Sequence, residues 1–460
     1  MPDQGATTPD SDPMGRMEVA TKIETPWAGA RDYHFIAKRH DEVSDSTFML
    51  ITRFELKFRH RERSERPTMA KSNNPEPSNF RKYGVPFYAV AWVPYKSIRF
   101  DFKSEEDQKE DQPDRNDDRN YVVLAGGGGE GRSGIPNAVV LSEFDLASNS
   151  LSDLPVVKHG TGSDLPYRMA GHPRGEGLIC SFPKFCRWFE WDGERSSEGH
   201  KLGIKQSEKE LNLLQDVEQQ LALEFNDEGS VLASGVQNGN LKVFKWPSME
   251  IILNEAQAHA SVKDLDFSPD GKLLVSLGNG GCRVWDVTSS KAVASLPKGN
   301  DEIFCSCRFS QTNEKNLVLY TVSVTGKGGS IATWNTTTWK RISSKSVVRD
   351  TILAFDVSAD GKFLACGTTE GDVMIINSTS MRTHQVIKKA HLGFVTALRF
   401  SPDSSAFASA SLDSSARVTI IQEAKENREI SLWLIILIFL IAIAAYFFKN
   451  PQILESFTKI

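Results

Sequence analysis

A chain of 460 residues, 40% hydrophobic and 25% charged, carries enough apolar material for two or three cores, which excludes wholesale disorder. Its formal net charge of −5 supplies no global attraction for a polyanion, so no nucleic-acid partner is expected. The six cysteines, Cys180, Cys186, Cys282, Cys305, Cys307 and Cys366, form no CxxC pair and read as small buried residues of a reducing compartment, not as metal ligands.

In chain order, residues 1–68 come first. They are mostly polar and lack an apolar leader, which fits synthesis in the cytosol. An alternating run from Thr47 to Phe58 and a basic stretch over 59–66 interrupt that polarity. The alternating run with its basic stretch fits a strand with a basic tail; equally, 1–68 reads as a poorly defined or dispensable extension, or a mispredicted exon, with the polar run from Met69 as the start of the folded part.

A first degenerate copy of a strand repeat runs from Tyr88-Ala-Val-Ala-Trp92 through Tyr121-Val-Val-Leu-Ala125 to Val139-Val-Leu-Ser-Glu-Phe144. Residues 104–120 interrupt it with eight acidic and three basic side chains and no apolar one, a solvated insertion. Between its later strands lies Ala125-Gly-Gly-Gly-Gly-Glu-Gly-Arg-Ser-Gly-Ile-Pro-Asn137. Gly126, Gly128 and Gly131 formally satisfy GxGxxG, with Asp145 downstream. The β-branched alternation after the loop, where a dinucleotide site needs a helix, argues against nucleotide binding, and no Gly-Lys-Ser/Thr follows for a P-loop. Two readings remain: an idle flexible hairpin, or a protruding loop whose bare backbone holds an ion or presses on a partner. Ile135, Pro136 and Asn137 place an apolar residue, a rigid one and an amide at the loop's far end. With little to pack against, Ile135 reads as an interaction knob.

A second degenerate copy runs from Tyr167 to Trp191, and a soluble helix is expected around 207–220. Five clearer copies follow, anchored at Phe225, Phe267, Phe309, Val357 and Phe400, at spacings of 42, 42, 48 and 43 residues. Each joins two apolar strands through turn residues such as Pro-Asp or Asp-Gly, and a third strand closes most copies, once with a literal Trp285-Asp286. Such a period marks propeller blades, and the count is seven. His259 and His391 precede their blades as hydrogen-bonding staples rather than catalytic groups. Cys305 and Cys307, two apart on an alternating strand, are expected to share a core-facing side.

The uncharged run 430–448 would span roughly 28 Å as a helix at about 1.5 Å per residue, enough to cross a bilayer. Trp433 and Tyr446 stand near its two ends and Lys449 follows. The organisation expected is therefore an all-β, seven-bladed WD-repeat propeller over 69–422, a linker over 423–429, a transmembrane helix over 430–448 and a short lumenal tail over 449–460, the propeller facing the cytosol.

With the glycine loop in the first blade and the carboxyl-terminal anchor, the chain resembles the endoplasmic-reticulum exchange factors for the Sar GTPase that initiates COPII coats. The plant SEC-twelve-like members are among these, and the animal prolactin regulatory element-binding protein is a relative. The resemblance covers about residues 83–448, and the glycine loop is its specific motif. It implies guanine nucleotide exchange without bond-making chemistry, a Sar-type small GTPase as partner, and residence in the endoplasmic-reticulum membrane through the helix. It also implies a potassium ion cradled by Gly126, Gly127, Gly128, Gly129 and Glu130, with Ile135 and Asn137 carrying exchange and Pro136 stiffening them. The alternative is a non-catalytic scaffold for cargo exit, similar to the plant phosphate-transporter traffic facilitator, against which the complete glycine loop argues. No nucleophile, base and oxyanion grouping suggests an enzyme.

Overall fold

Repeated alternation of apolar and polar residues around tight turns folds the described residues into seven antiparallel sheets, six of four strands and one of five. The computed structural model describes residues 76–98, 119–129, 133–192, 202–278, 281–311, 316–422 and 432–449. The chain falls into two units, 1–74 and 75–460. The first unit lies outside the described residues, and with it the run from Thr47 to Phe58 and the basic stretch; the acidic insertion lies outside them too, but for Arg119 and Asn120.

Each turn is built locally. In Ser268-Pro-Asp-Gly271 the Ser268 hydroxyl donates to Asp270 Oδ1 (2.6 Å) and accepts from the Leu273 amide (2.9 Å). The same arrangement recurs at Ser358 and at Ser401. Side chains of this kind tie a hairpin with no help from the rest of the fold.

The sheets form a ring. Their innermost strands are Phe87–Val93, Arg168–Gly171, Gln220–Phe225, Val262–Phe267, Ile303–Gln311, Ile352–Val357 and Val395–Phe400, each packed against the next and the last against the first. Numbered in that order, they define blades 1 to 7. Apolar side chains gather in seven clusters, one at each blade interface. Between blades 4 and 5, for example, Val275, Leu277 and Val284 meet Phe309, Leu319 and Trp334. The sequence-based count of seven WD-repeat blades matches this architecture.

The repeat pattern does not announce how the ring closes. Blade 7 takes its outermost strand from Phe80–Lys82, paired antiparallel to Ser415–Ile420 with Phe80 opposite Arg417 and Lys82 opposite Ser415. Asn79 Nδ2 donates to Val418 O at 2.8 Å, and the Arg417 guanidinium lies 5.2 Å from the centre of the buried Phe80 ring. Staples brace the blades from within. His259 Nε2 meets Ser276 Oγ at 2.8 Å, where Trp285 Nε1 also donates at 2.8 Å. His391 meets Ser409 and Ser415 at 2.8 and 2.6 Å. Around the axis, Arg308 of blade 5 reaches Asp264 of blade 4 (2.8 Å) and Asp356 of blade 6 (3.4 Å). Arg399 of blade 7 joins Asp356 (3.5 Å) to Glu224 of blade 3 (2.5 Å).

Two expectations need correction. Around 207–220 there is only a 3-10 turn, Asn212–Leu214, because Leu211 and Leu214 are drawn into the apolar seam between blades 2 and 3. Cys305 and Cys307 do not share a buried environment. The strand register shifts between Phe304 and Ser306, leaving Cys305 half-buried while Cys307 is enclosed.

A separate helix covers Leu432–Lys449, 18 residues with one charge, at Lys449. Its side chains are described continuously over 436–446, and most are exposed. Among the residues so described, no helix is long and apolar enough to cross a membrane.

Ring closure makes Phe80 a stability determinant despite its place in a three-residue strand. Phe80→Ala is expected to cost about 3 kcal/mol, read as a lower urea midpoint. Burial pushes both His259 and His391 down to about 4 from an ordinary 6.5. Their folded pKa values lie below the unfolded one, so their stabilising contribution is complete above pH 6.5 and is lost as pH falls towards 4. The loss is roughly 1.4 kcal/mol per pH unit per histidine. The urea midpoint should drop across that window, and His391→Gln should show a shallower drop.

Candidate functional site

The glycine loop connects Arg119–Gly126 to Asn137–Asp145, the second and third strands of blade 1. Gly126 is still part of the ladder, registered with Phe87 on one side and Ala138 on the other. The Gly127 amide donates to Pro86 O at 2.9 Å, which roots the loop on the segment leading into the inner strand.

Close packing explains the glycine run. A Cβ on Gly126 would collide with Pro86 O, one on Gly127 with the Asn137 side chain, and one on Gly128 with Ser133 Oγ and Ile135. Gly129 is different: a Cβ there would meet nothing within 4 Å, but its φ of +76° favours glycine. Among its described residues the loop is therefore packed closely against itself and its roots.

Asn137 holds it there. Its Oδ1 accepts from the Gly129 amide (2.9 Å), while Nδ2 donates to Gly129 O (3.3 Å) and to Gly162 O (3.1 Å). The side chain thus bridges the loop to the outer strand Val157–Gly162. The residue is only 3% exposed, so the expectation that it stands at the loop's far end is corrected: Asn137 begins a strand and faces inward. Ile135, by contrast, is 39% exposed, and Pro136 beside it is exposed. The Ile135 amide donates to Ser133 Oγ at 3.3 Å, fixing the backbone that presents the side chain. The hairpin thus displays an apolar side chain on a braced support.

A neighbouring turn that the repeat pattern does not mark completes the surroundings. Gly162, at φ +69°, opens onto Ser163 and Asp164, and the Thr161 hydroxyl donates to Asp164 O at 2.6 Å. Asp164 Oδ2 accepts from Arg187 of blade 2 at 3.3 Å. The glycines of 160 and 162 are a turn signal, but nothing local to them announces a partner in blade 1.

For a cation the hairpin offers backbone oxygens, the hard ligands that potassium accepts. Gly129 O already accepts from Asn137 and keeps a second lone pair. Glu130 lies outside the described residues. Among the described residues no group of three or more His, Cys, Asp or Glu is arranged to hold a metal ion.

Comparison with known proteins gives the fold a lineage. The family described as "WD domain, G-beta repeat" matches residues 252–286 and 382–419. The chain is 52% identical over 362 residues to SEC12-like protein 2 of Arabidopsis thaliana, covering 78% of this chain and 92% of that protein. It is 31% identical over 352 residues to SEC12-like protein 1 of the same plant, covering 74% and 86%. With the guanine nucleotide-exchange factor SEC12 of Rattus norvegicus it shares 24% identity over 416 residues, covering 78% and 95%. Identity at the first of these levels, over nearly the whole relative, shows that this chain belongs to the SEC12-like family.

Proposed function

We propose that this protein is a guanine nucleotide exchange factor for a Sar-type small GTPase, acting at the endoplasmic-reticulum membrane to initiate COPII vesicles for transport to the Golgi. The observation that carries the reading is the exposed Ile135 on a hairpin held by the buried Asn137. A relative named as a guanine nucleotide-exchange factor supports it.

The work required is binding, with no bond made or broken. A partner that binds the nucleotide-free GTPase more tightly than the GDP form lowers the affinity for GDP by the same factor. GDP then leaves faster and GTP replaces it. Ile135 is the group that presses into the GTPase, Pro136 restricts its backbone, and Asn137 keeps the hairpin erect from inside. A stiff hairpin suits this role, because ordering entropy not lost on docking remains available to favour the nucleotide-free state.

A potassium ion would be held by the carbonyl oxygens of the run Gly126, Gly127, Gly128 and Gly129, with the Glu130 carboxylate. Bound there, it would offset the dipoles of the carbonyls that faced it. The helix Leu432–Lys449 would anchor the chain. Its roughly 27 Å length, at about 1.5 Å per residue, suits a single crossing with the flanking residues of the apolar run. Anchoring would confine activation to the surface where the GTPase is needed.

The test is GDP release from a Sar-type GTPase loaded with a fluorescent GDP analogue. The full chain should accelerate release. Ile135→Ala should remove at least nine-tenths of the acceleration and leave the urea midpoint within error. Sodium in place of potassium should slow the wild-type reaction. No acceleration by the wild-type chain would leave the scaffold reading in place, and full activity of Ile135→Ala would overturn the site. In liposome flotation the full chain is expected to rise with lipid and a chain ending at residue 422 to stay at the bottom; equal behaviour would overturn the anchor.

A further inference from the structure

Resting on the reading of the glycine hairpin as the exchange element, we propose that Asp164 and Arg187 are positioning residues for it, so that blade 2 sets the attitude of a hairpin belonging to blade 1.

The path is continuous. Arg187 lies in the strand Cys186–Asp192. Its guanidinium rests 4.6 Å from the centre of the Phe185 ring and 5.2 Å from that of Phe182. The two rings stack at 5.0 Å, and Phe182 is fully buried in the apolar cluster between blades 1 and 2. A planar cation held over aromatic faces has a fixed direction as well as a fixed place. That direction is towards Asp164, at 3.3 Å.

Asp164 in turn closes a short turn. Its amide donates to Thr161 O (3.4 Å), and its own carbonyl accepts from Thr161 Oγ1 (2.6 Å). Gly162 lies inside that turn and offers its carbonyl to Asn137 Nδ2. Asn137 has two amide protons and spends one on Gly162 and one on Gly129. If the turn drifts, a buried donor loses its partner, which costs more than an exposed bond would, and the remaining hold on Gly129 loosens.

The size of the effect follows from exposure. The Arg187 and Asp164 side chains are 30% and 29% exposed, so their pairing is modest and solvent-screened. The pair therefore trims the hairpin's freedom without deciding whether the propeller folds.

The experiment uses the full chain in detergent with Asp164→Ala, with Arg187→Met, which keeps a stem over the rings, and with both together. Amide hydrogen exchange of the segment 126–137, read by mass spectrometry, should accelerate about two- to fivefold in each single variant. The double variant should add nothing further, because the two residues act through one another. The urea midpoint should not move. In the GDP-release assay, half-maximal stimulation should require about two- to fivefold more protein while the saturating rate holds, since a smaller fraction presents a competent hairpin. Ile135→Ala instead lowers the saturating rate.

Unchanged hairpin exchange in both single variants, or additive effects in the double, would overturn the proposal. So would faster exchange in every blade with a falling midpoint, which would assign the pair to overall stability. Faster exchange confined to the hairpin, in a protein whose wild-type form does not stimulate GDP release, would support the positioning role and overturn the exchange-factor reading instead.

Discussion

The structure depends on a ring being shut by three residues from its own amino-terminal side. A propeller has no central core. Its apolar side chains lie in seams between neighbouring sheets, and each seam is filled only when both neighbours are in place. The pairing of Phe80–Lys82 with Ser415–Ile420 holds the last blade as a four-stranded sheet. Through that blade it secures the seam in which Val122, Leu124, Val140 and Phe144 meet Ala406, Ala408 and Val418. Blade 1, which carries the glycine hairpin, is one wall of that seam. Rigidity at the hairpin is thus inherited from closure on the far side of the chain.

The hairpin illustrates how glycine can serve order rather than freedom. Three of its glycines stand where another atom already fills the space a side chain would take, so the run is a record of close approach. The loop then requires a buried polar group able to bond in several directions, and the Asn137 amide, with two donors and an acceptor, meets that requirement. Two neighbouring residues divide the labour: Ile135 is presented, and Asn137 is enclosed.

Much of the ring was legible in the amino-acid sequence because blade formation is local. Alternation, Asp-Gly turns and a spacing near 42 residues are properties of neighbours along the chain, and so are the staples of His259 and His391. Closure was not legible, since Phe80–Lys82 has no periodicity of its own and finds its partner more than three hundred residues away. The expected helix over 207–220 failed for a related reason: the seam between blades 2 and 3 claimed Leu211 and Leu214, and packing overrode a polar, helix-like composition. At the site, the exposed Ile135 was readable from an apolar residue beside proline in a glycine-rich loop. The inward turn of Asn137 was not, because its partner Gly162 is set by strand pairing within the outer part of blade 1.

Closure also has a mechanical side. The strand Ser415–Ile420 is the last of the propeller, and tension along the following chain enters the ring through it. That strand is flanked by Ala406–Ser411 on one edge and by Phe80–Lys82 on the other. Pulled lengthwise between two antiparallel neighbours, its ladder bonds are loaded together in shear rather than peeled singly. The clasp that completes the circle thus also sets how the propeller would resist a pull on its last strand.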